Sequence, residues 1–336
     1  MTSNEDPVDN RTQDEPGEGL TYSDVGVDIA KSESATESLV SAIGDFDTSD
    51  YVGLIDIGDR FLALAADGVG TKLLVAEALE DYSTVGIDCI AMNANDLVAA
   101  GIKPVAFVDY LAVDEPNDEI SEQIGQGLAT GAKRAGIALL GGETAVMPEV
   151  IRGLDLAGTC AGLAQKDEIF SGEAEAGDLL VGWPSSGIHS NGLTLARKAV
   201  TRRYDYSDPV PDWEDRTIGE LLLEPTRIYT HLLDPMRTHG VHAAAHVTGG
   251  GWTNLSRLGD YRYEITDPFP VQPVFELIQN EGNVDDTEMY RTFNMGTGFI
   301  AALPEENGER LADQTDGRVI GRVTEGEAVA IRGLDL

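Results

Sequence analysis

The chain has 336 residues, 42% of them apolar and 24% charged, the proportions of a folded globular protein with room for two ordinary domains. Its charge balance is extreme: 23 Lys plus Arg against 59 Asp plus Glu give a net charge of −36. A chain of that sign repels nucleic acid and anionic membrane alike, so neither is expected as a partner.

Residues 1–19 hold six acids, one Arg and almost no apolar side chain, and are expected to be a disordered acidic tail. The tail explains only part of the charge. The remaining acids are dispersed, as on a solvated surface adapted to concentrated salt, where the Debye length falls to about 3 Å at 1 M. No run of about 20 apolar residues and no basic-then-apolar leader is visible, so a cytoplasmic protein without a membrane span is expected. Cys89 and Cys160 sit among apolar residues and read as buried small hydrophobes, not as a bridge or zinc ligands.

Strand-like and helix-like periods then alternate, which predicts a mixed α/β chain. Residues 61–66 form an apolar run ending in Asp67-Gly68. Residues 71–79, 84–100 and 117–135 have helical spacing, the last with Ile120, Ile124 and Leu128 on one face. Residues 105–113, 137–140 and 154–164 read as strands. The charged, Gly-containing stretch 165–178 marks a boundary, dividing the chain into 20–165 and 166–336. In the second half, 179–183, 243–247 and 298–303 read as strands, 193–200 reads as a helix, and Glu224-Pro225 reads as the start of another.

Several segments carry chemistry. Asp67, Gly68, Val69, Gly70, Thr71 and Lys72 bring a carboxylate to a strand end, then a glycine turn, then a helix N-terminus whose amides and Lys72 can face phosphate. A plain turn with a surface Lys is the alternative, and the spacing is not that of a Walker loop. On the helix at 84–100, Asp88, Asn95 and Asp96 share one face, with Asn93 a turn before Asp96. That face is either solvated or a buried polar stripe in need of a cation or donors. Gly141-Gly142-Glu143 again ends a strand in an acid, so Asp67, Asp96 and Glu143 are expected to converge. Two carboxylates ~4 Å apart repel by roughly 4 kcal/mol at an effective dielectric of 20. Hard oxygen donors of this kind favour Mg²⁺. Ser185 to Gly192 precedes a helix and offers hydroxyls, amides and His189, as either a phosphate cradle or simple capping. His246 leads into Gly249, Gly250 and Gly251, which permit close backbone approach to a ligand.

Taken in order, TYSDVGVDI (21–29), DGVGTK (67–72), GIDCIAMNANDLVAAGIKP (86–104), GGETAVMP (141–148), SSGIHSNGLTLARK (185–198), LLEPTRIY (222–229), HVTGGG (246–251) and NVDDTEMYRTFNMGTGF (283–299) resemble the phosphoribosylformylglycinamidine cyclo-ligase family, also called aminoimidazole ribonucleotide synthetase. The likeness runs from about Leu20 to the C-terminus. Departures are a Gly-rich loop shortened to residues 51–58, Ile102 for Ala, Ile188 for Pro, and Val146 where an acid is common.

The resemblance implies an α/β (α+β) two-domain fold of an ATP-binding superfamily. Its N-terminal domain, 20–165, binds ATP and pairs with a second copy into a dimeric β-barrel flanked by helices; its C-terminal domain, 166–336, is α/β. The implied reaction is ATP-dependent ring closure of formylglycinamidine ribonucleotide to aminoimidazole ribonucleotide in purine synthesis. ATP is co-substrate and Mg²⁺ the cofactor. Carried over residue by residue, Asp67, Asp96 and Glu143 are metal ligands. Gly68, Val69, Gly70, Thr71, Lys72, Asn93 and Asn95 bind ATP. Asp24, Gly26, Asp28, Ser186, Ser190, Asn191, Thr248, Gly249 and Gly250 bind substrate, and Lys72, His189 and His246 are catalytic candidates. The alternatives are another enzyme of the same superfamily and a non-catalytic nucleotide-binding scaffold.

Overall fold

The computed structural model describes residues 19–43, 52–211 and 213–336. The tail expected at 1–19 lies outside the described residues apart from Gly19.

The first half opens with α1 (Ile29–Ile43), then β1 (Gly53–Asp56), β2 (Arg60–Gly68), a 3-10 turn at Gly70–Lys72 leading into α2 (Leu73–Leu79), α3 (Val85–Ala99), β3 (Lys103–Val113), α4 (Asp118–Ala135), β4 (Ala138–Val146) and β5 (Leu154–Gln165). The stretch at 51–58, expected to be a shortened loop, is largely β1, hairpinned onto β2 from Gly53↔Leu64 to Asp56↔Phe61. The five strands form one sheet in the order β1-β2-β5-β3-β4. Only β3 and β4 are parallel, which their connection through α4 permits.

Among the described residues one face of this sheet is covered and the other is bare. Ala63, Ala65, Phe107, Leu111, Leu156 and Cys160 alternate inward against α3 and α4. The helices approach closely because glycines meet at the contact: a Cβ on Gly86 would lie 2.2 Å from the Leu128 backbone nitrogen, and one on Gly131 3.0 Å from Ile90. Asn117 caps α4 by accepting from the amides of Glu119 and Ile120. On the opposite face Ile55, Leu64, Val108 and Tyr110 are exposed; Leu139, Leu140 and Val146 are exposed on the edge strand β4.

The second half contributes β6 (Leu179–Pro184), α5 (Leu193–Val200), β7 (Pro209–Val210), β8 (Trp213–Thr217), α6 (Ile218–Leu222), α7 (Leu233–Thr238), β9 (Ala243–His246), β10 (Arg262–Ile265), α8 (Pro273–Gly282), α9 (Asp286–Thr292), β11 (Thr297–Leu303), α10 (Glu305–Gln314), β12 (Arg318–Thr324), β13 (Ala328–Ile331) and β14 (Leu334–Asp335). Seven strands order as β14-β13-β10-β12-β6-β11-β9, while β7 and β8 form a separate hairpin. Both faces of β11 and most of β6 are buried, and both strands are near-continuous apolar runs. The largest hydrophobic core runs from the first sheet through α3 into α5 and α8, so the two halves share packed interior. Cys89 and Cys160 are free and buried, and burial pushes the Cys160 thiol up to about 12.

Gly86→Ala is expected to force α3 away from α4. Because the obstacle is backbone, we expect a loss of about 3 kcal/mol, at the upper end of overpacking costs, in denaturant unfolding. Gly136→Ala, strained in φ but without an obstacle, should cost less.

Candidate active site

The polar stripe on α3 is buried. Asp88, Asn93 and Asn95 have no exposed surface, and the Asp96 side chain is 17% exposed. A solvated face is therefore excluded, and each group has found partners elsewhere in the chain. Asp88 Oδ1 accepts from the amide (2.7 Å) and hydroxyl (2.6 Å) of Thr226. Asp88 also pairs with Lys72 Nζ at 2.9 Å, and that ammonium donates to the Glu224 carbonyl at 2.7 Å. Asn95 Oδ1 accepts from the Tyr229 amide at 2.8 Å, and its Nδ2 donates to the Arg227 carbonyl at 2.9 Å. The backbone of residues 224–229 thus bonds to side chains of α3 and to Lys72, not to itself. This is why Glu224-Pro225 opens no helix, contrary to the sequence expectation, and helical structure begins only at Thr230.

Asn93 faces the first sheet instead. It accepts from the Asp67 amide and donates to the carbonyls of Asp67 and Cys89, fixing the end of β2. The amides of both Asn93 and Asn95 are committed to protein groups, so neither is placed to contact ATP in this structure. Lys72 has no exposed surface, and its ammonium is held by Asp88 and Glu224; it is not placed to meet a phosphate either. Of the loop amides expected to cradle phosphate, that of Gly68 donates to Asp67 and that of Val69 to the Leu156 carbonyl. Thr71 turns its hydroxyl to Thr194 across the halves at 3.0 Å.

The histidine tautomers follow from their partners. Asn95 uses its oxygen on an amide, so its Nδ2 must be the donor to His246 Nε2 at 3.3 Å. The His246 proton then sits on Nδ1, which donates to Asp96 Oδ1 at 3.0 Å. His246 is fully buried, and it orients a carboxylate. His189 has φ of 62° and accepts from the Ser186 amide on Nε2. Its Nδ1 has no hydrogen-bond partner, and burial, with His246, Lys72 and Arg227 nearby, holds its pKa well below the usual value. His189 is therefore neutral at physiological pH and shapes the 185–192 loop from inside.

Asp67 and Asp96 are electrostatic neighbours. Burial first, and then the Asp96 charge, push the Asp67 carboxyl up to about 6, against a smaller lowering by the Gly68 amide and His246. Asp67 also lines a cavity of ≈ 380 Å³ with Gly68, Val108, Asp109 and Tyr110. Glu143 does not join them within one chain. The registers Asp67↔Gly158, Gly158↔Asp109 and Asp109↔Gly142 place these four residues in one row on one face. Glu143 is in the next row, on the opposite face, and is three strands from Asp67, about 14 Å at the usual strand spacing. The expected three-acid convergence therefore fails within one chain. Among the described residues no cluster of three His, Cys, Asp or Glu is arranged to hold a metal.

Two loops of the second half adjoin α3 near Asp96. Asn191 meets the Met92 sulfur of α3 and lies 3.4 Å from where a Gly249 Cβ would stand. Gly250 adopts φ of 93°. Ser190 approaches Thr226 at 3.5 Å. Ser186 donates to the Pro225 carbonyl and the Thr248 amide to Asn254, so these two groups support the loops. Residues 20–28 lie against the same half: the Leu20 amide donates to the Gly282 carbonyl and the Tyr22 amide to Glu288. Asp24 binds Thr21 locally, Gly26 takes φ of 89° in the turn, and Asp28 starts α1 beside Lys31.

The family model for AIR synthase related protein, N-terminal domain, matches residues 49–164, and that for the C-terminal domain matches 175–333. The phosphoribosylformylglycinamidine cyclo-ligase of Methanosarcina barkeri is 47% identical over 91% of this chain and 95% of its own length. That of Pyrococcus horikoshii is 48% identical over 86% and 90%. This chain belongs to the phosphoribosylformylglycinamidine cyclo-ligase family. In fold it is also similar to AaThiL complexed with AMPPCP and TMP, with a TM-score of 0.67 at 15% identity, covering 92% of this chain and 96% of that one.

Sequence reasoning left Thr226, Tyr229 and Asn254 out of the site of this cyclo-ligase family member. Only the motif at 222–229 signalled the first two, because backbone contacts leave no residue-type signature. The raised Asp67 pKa gives a signed expectation. A carboxyl at about 6 when folded and 3.8 when unfolded lowers stability as pH rises from 4 to 6, and keeps it low above that. With a chelator present, Asp67→Asn should raise the melting temperature at pH 7.5. The gain should shrink as pH falls through 6 and vanish near 4.

Proposed function

We propose that this protein closes the imidazole ring of aminoimidazole ribonucleotide, converting formylglycinamidine ribonucleotide and ATP to the product, ADP and phosphate. One observation carries the reading: within a chain of this family, Asp96 of the Asp67–Asp96 pair is held by His246, which leads into the Gly249 loop, and Asn191 meets α3 one turn away at Met92. The substrate amide oxygen bonds to the γ-phosphorus while the bond to the departing ADP oxygen breaks. The amidine nitrogen then attacks the resulting iminophosphate carbon. The carbon–oxygen bond breaks, phosphate departs, and the ring nitrogen loses its proton. Positioning and charge stabilisation carry such a reaction.

Two neighbouring carboxylates, one with its pKa raised, fit Mg²⁺, which commonly takes one or two carboxylates and completes its shell with water and phosphate oxygens. Asp67 and Asp96 would hold it, and it would supply positive charge against the nucleotide phosphates. His246 fixes Asp96. Gly70 and Thr71 lie on the nucleotide side, and Ser190, Asn191, Gly249 and Gly250 on the side of the ribonucleotide phosphate. Asp24, Gly26 and Asp28 belong to the adjoining turn.

The active form in this reading is a homodimer. Eight large apolar side chains of the first sheet are exposed on its strands, and β4 presents an open edge, a combination a partner sheet would cover. Glu143, remote from Asp67 in its own chain, would then serve a site only across that interface. The reading places the protein in the cytoplasm, and its dispersed acids suit a medium rich in salt. The relatives at 46–48% identity all carry the cyclo-ligase name, which favours this reaction over other ATP enzymes of the fold and over a silent scaffold.

Product formation from synthetic substrate should require Mg²⁺ and rise with KCl; ATP binding without ADP release would reject the reading. Asp96→Asn should lower kcat/KM more than 100-fold. His246→Ala should cost about 10–100-fold and raise the Mg²⁺ needed for half-maximal turnover, as loss of a group that orients a ligand does.

A further inference from the structure

We propose that Lys72, Asp88 and Thr226 form a buried latch between the halves whose task is to position the 186–191 loop over the acid pair. The proposal rests on the cyclo-ligase reading and adds a positioning function to it.

The contacts run in one chain. Lys72 and Asp88 have no exposed surface, and Thr226 has 2%. Thr226 gives Asp88 both its amide and its hydroxyl. The two residues before it extend the grip: the Glu224 carbonyl takes the Lys72 ammonium, and the Pro225 carbonyl takes the Ser186 hydroxyl at 2.6 Å. The Thr226 hydroxyl also stands 3.5 Å from Ser190 Oγ. Outside, Arg216 holds the Glu224 carboxylate at 2.8 Å. Residues 224–226 therefore touch α3 on one side and the Ser186 and Ser190 hydroxyls on the other. Asp88 and Asp96 lie on the same helix, eight residues or about 12 Å apart. The loop and the carboxylate pair are thus referred to one rigid element.

Stability alone does not account for this arrangement. A buried ion pair is often no better than apolar residues of similar volume, but unlike them it is satisfied in only one geometry. A displacement of about 1 Å in a substrate-holding loop costs on the order of 100-fold in rate. A latch satisfied in one register meets that need; a greasy contact, free to slide, does not.

Three variants test it, each assayed for turnover of formylglycinamidine ribonucleotide, with melting temperature measured in parallel. Thr226→Val keeps the shape and removes the hydroxyl. It should leave the melting temperature within a few degrees, lower kcat/KM for the ribonucleotide at least tenfold, and leave KM for ATP within twofold. Thr226→Ser restores the hydroxyl and should recover most of the loss. The double variant Lys72→Met with Asp88→Leu should fold and remain at least tenfold impaired. The latch is overturned if Thr226→Val turns over ribonucleotide like wild type, or if the double variant regains both stability and turnover. If the double variant does not fold, the Val and Ser pair at 226 decides. Absence of product from the wild type would instead reject the cyclo-ligase reading itself.

Discussion

The arrangement of the two halves depends on one buried polar face of α3. Asp88 and, two turns on, Asn95 and Asp96 lie on an enclosed helix whose only other polar side chain is Asn93. Burying three such groups without partners would cost several kcal/mol each. Every partner they have acquired comes from beyond their own helix: Lys72 from the first half, and Thr226, Arg227, Tyr229 and His246 from the second. The helix is therefore well satisfied only when the C-terminal half sits where it does. Site geometry and domain arrangement are the same constraint, since Asp96 is both a member of the face and half of the acid pair.

That constraint explains which parts of the molecule were legible in sequence. Elements with a strong period were clear: α5 was read over 193–200 and is Leu193–Val200, and the helix at 84–100 is Val85–Ala99. The strands at 105–113 and 154–164 were also read within two residues of their bounds. The residues of the acid pair were legible because a carboxylate at a strand end and another on a buried stripe are costly features. Segment 224–229 was not, because its conformation is set by bonds to Lys72, Asp88 and Asn95 from far along the chain. Lys72 misled for a related reason. A lysine after a glycine turn looks like a phosphate ligand, and nothing local reveals that Asp88, sixteen residues on, claims its charge. The convergence of Glu143 failed on parity: it follows Gly142, so it points to the face opposite Asp67.

The same parity gives Glu143 and the bare sheet face a common setting. The outward row holds Glu143 beside Tyr110 and Ala157, on the face where Leu64 and Val108 are also exposed. An acid amid exposed apolar side chains is awkward on a lone subunit, where the patch invites association. It is at home at the margin of an interface, where apolar neighbours are covered and the carboxylate reaches the edge of the partner's surface.

The net charge of −36 sharpens this point. Two copies of so acidic a chain repel each other over any distance the solvent does not screen. Pairing of the kind proposed would need a face where apolar area is concentrated and acids are sparse. The exposed face of the first sheet concentrates apolar area in Ile55, Leu64, Val108 and Tyr110, with Glu143 beside Tyr110. Salt at molar strength shortens the reach of the repulsion to about 3 Å and leaves apolar contact intact or strengthened. In a homodimer paired through this face, as proposed above, dilution of salt would act on association before it acts on the fold, because repulsion between two whole surfaces is screened less.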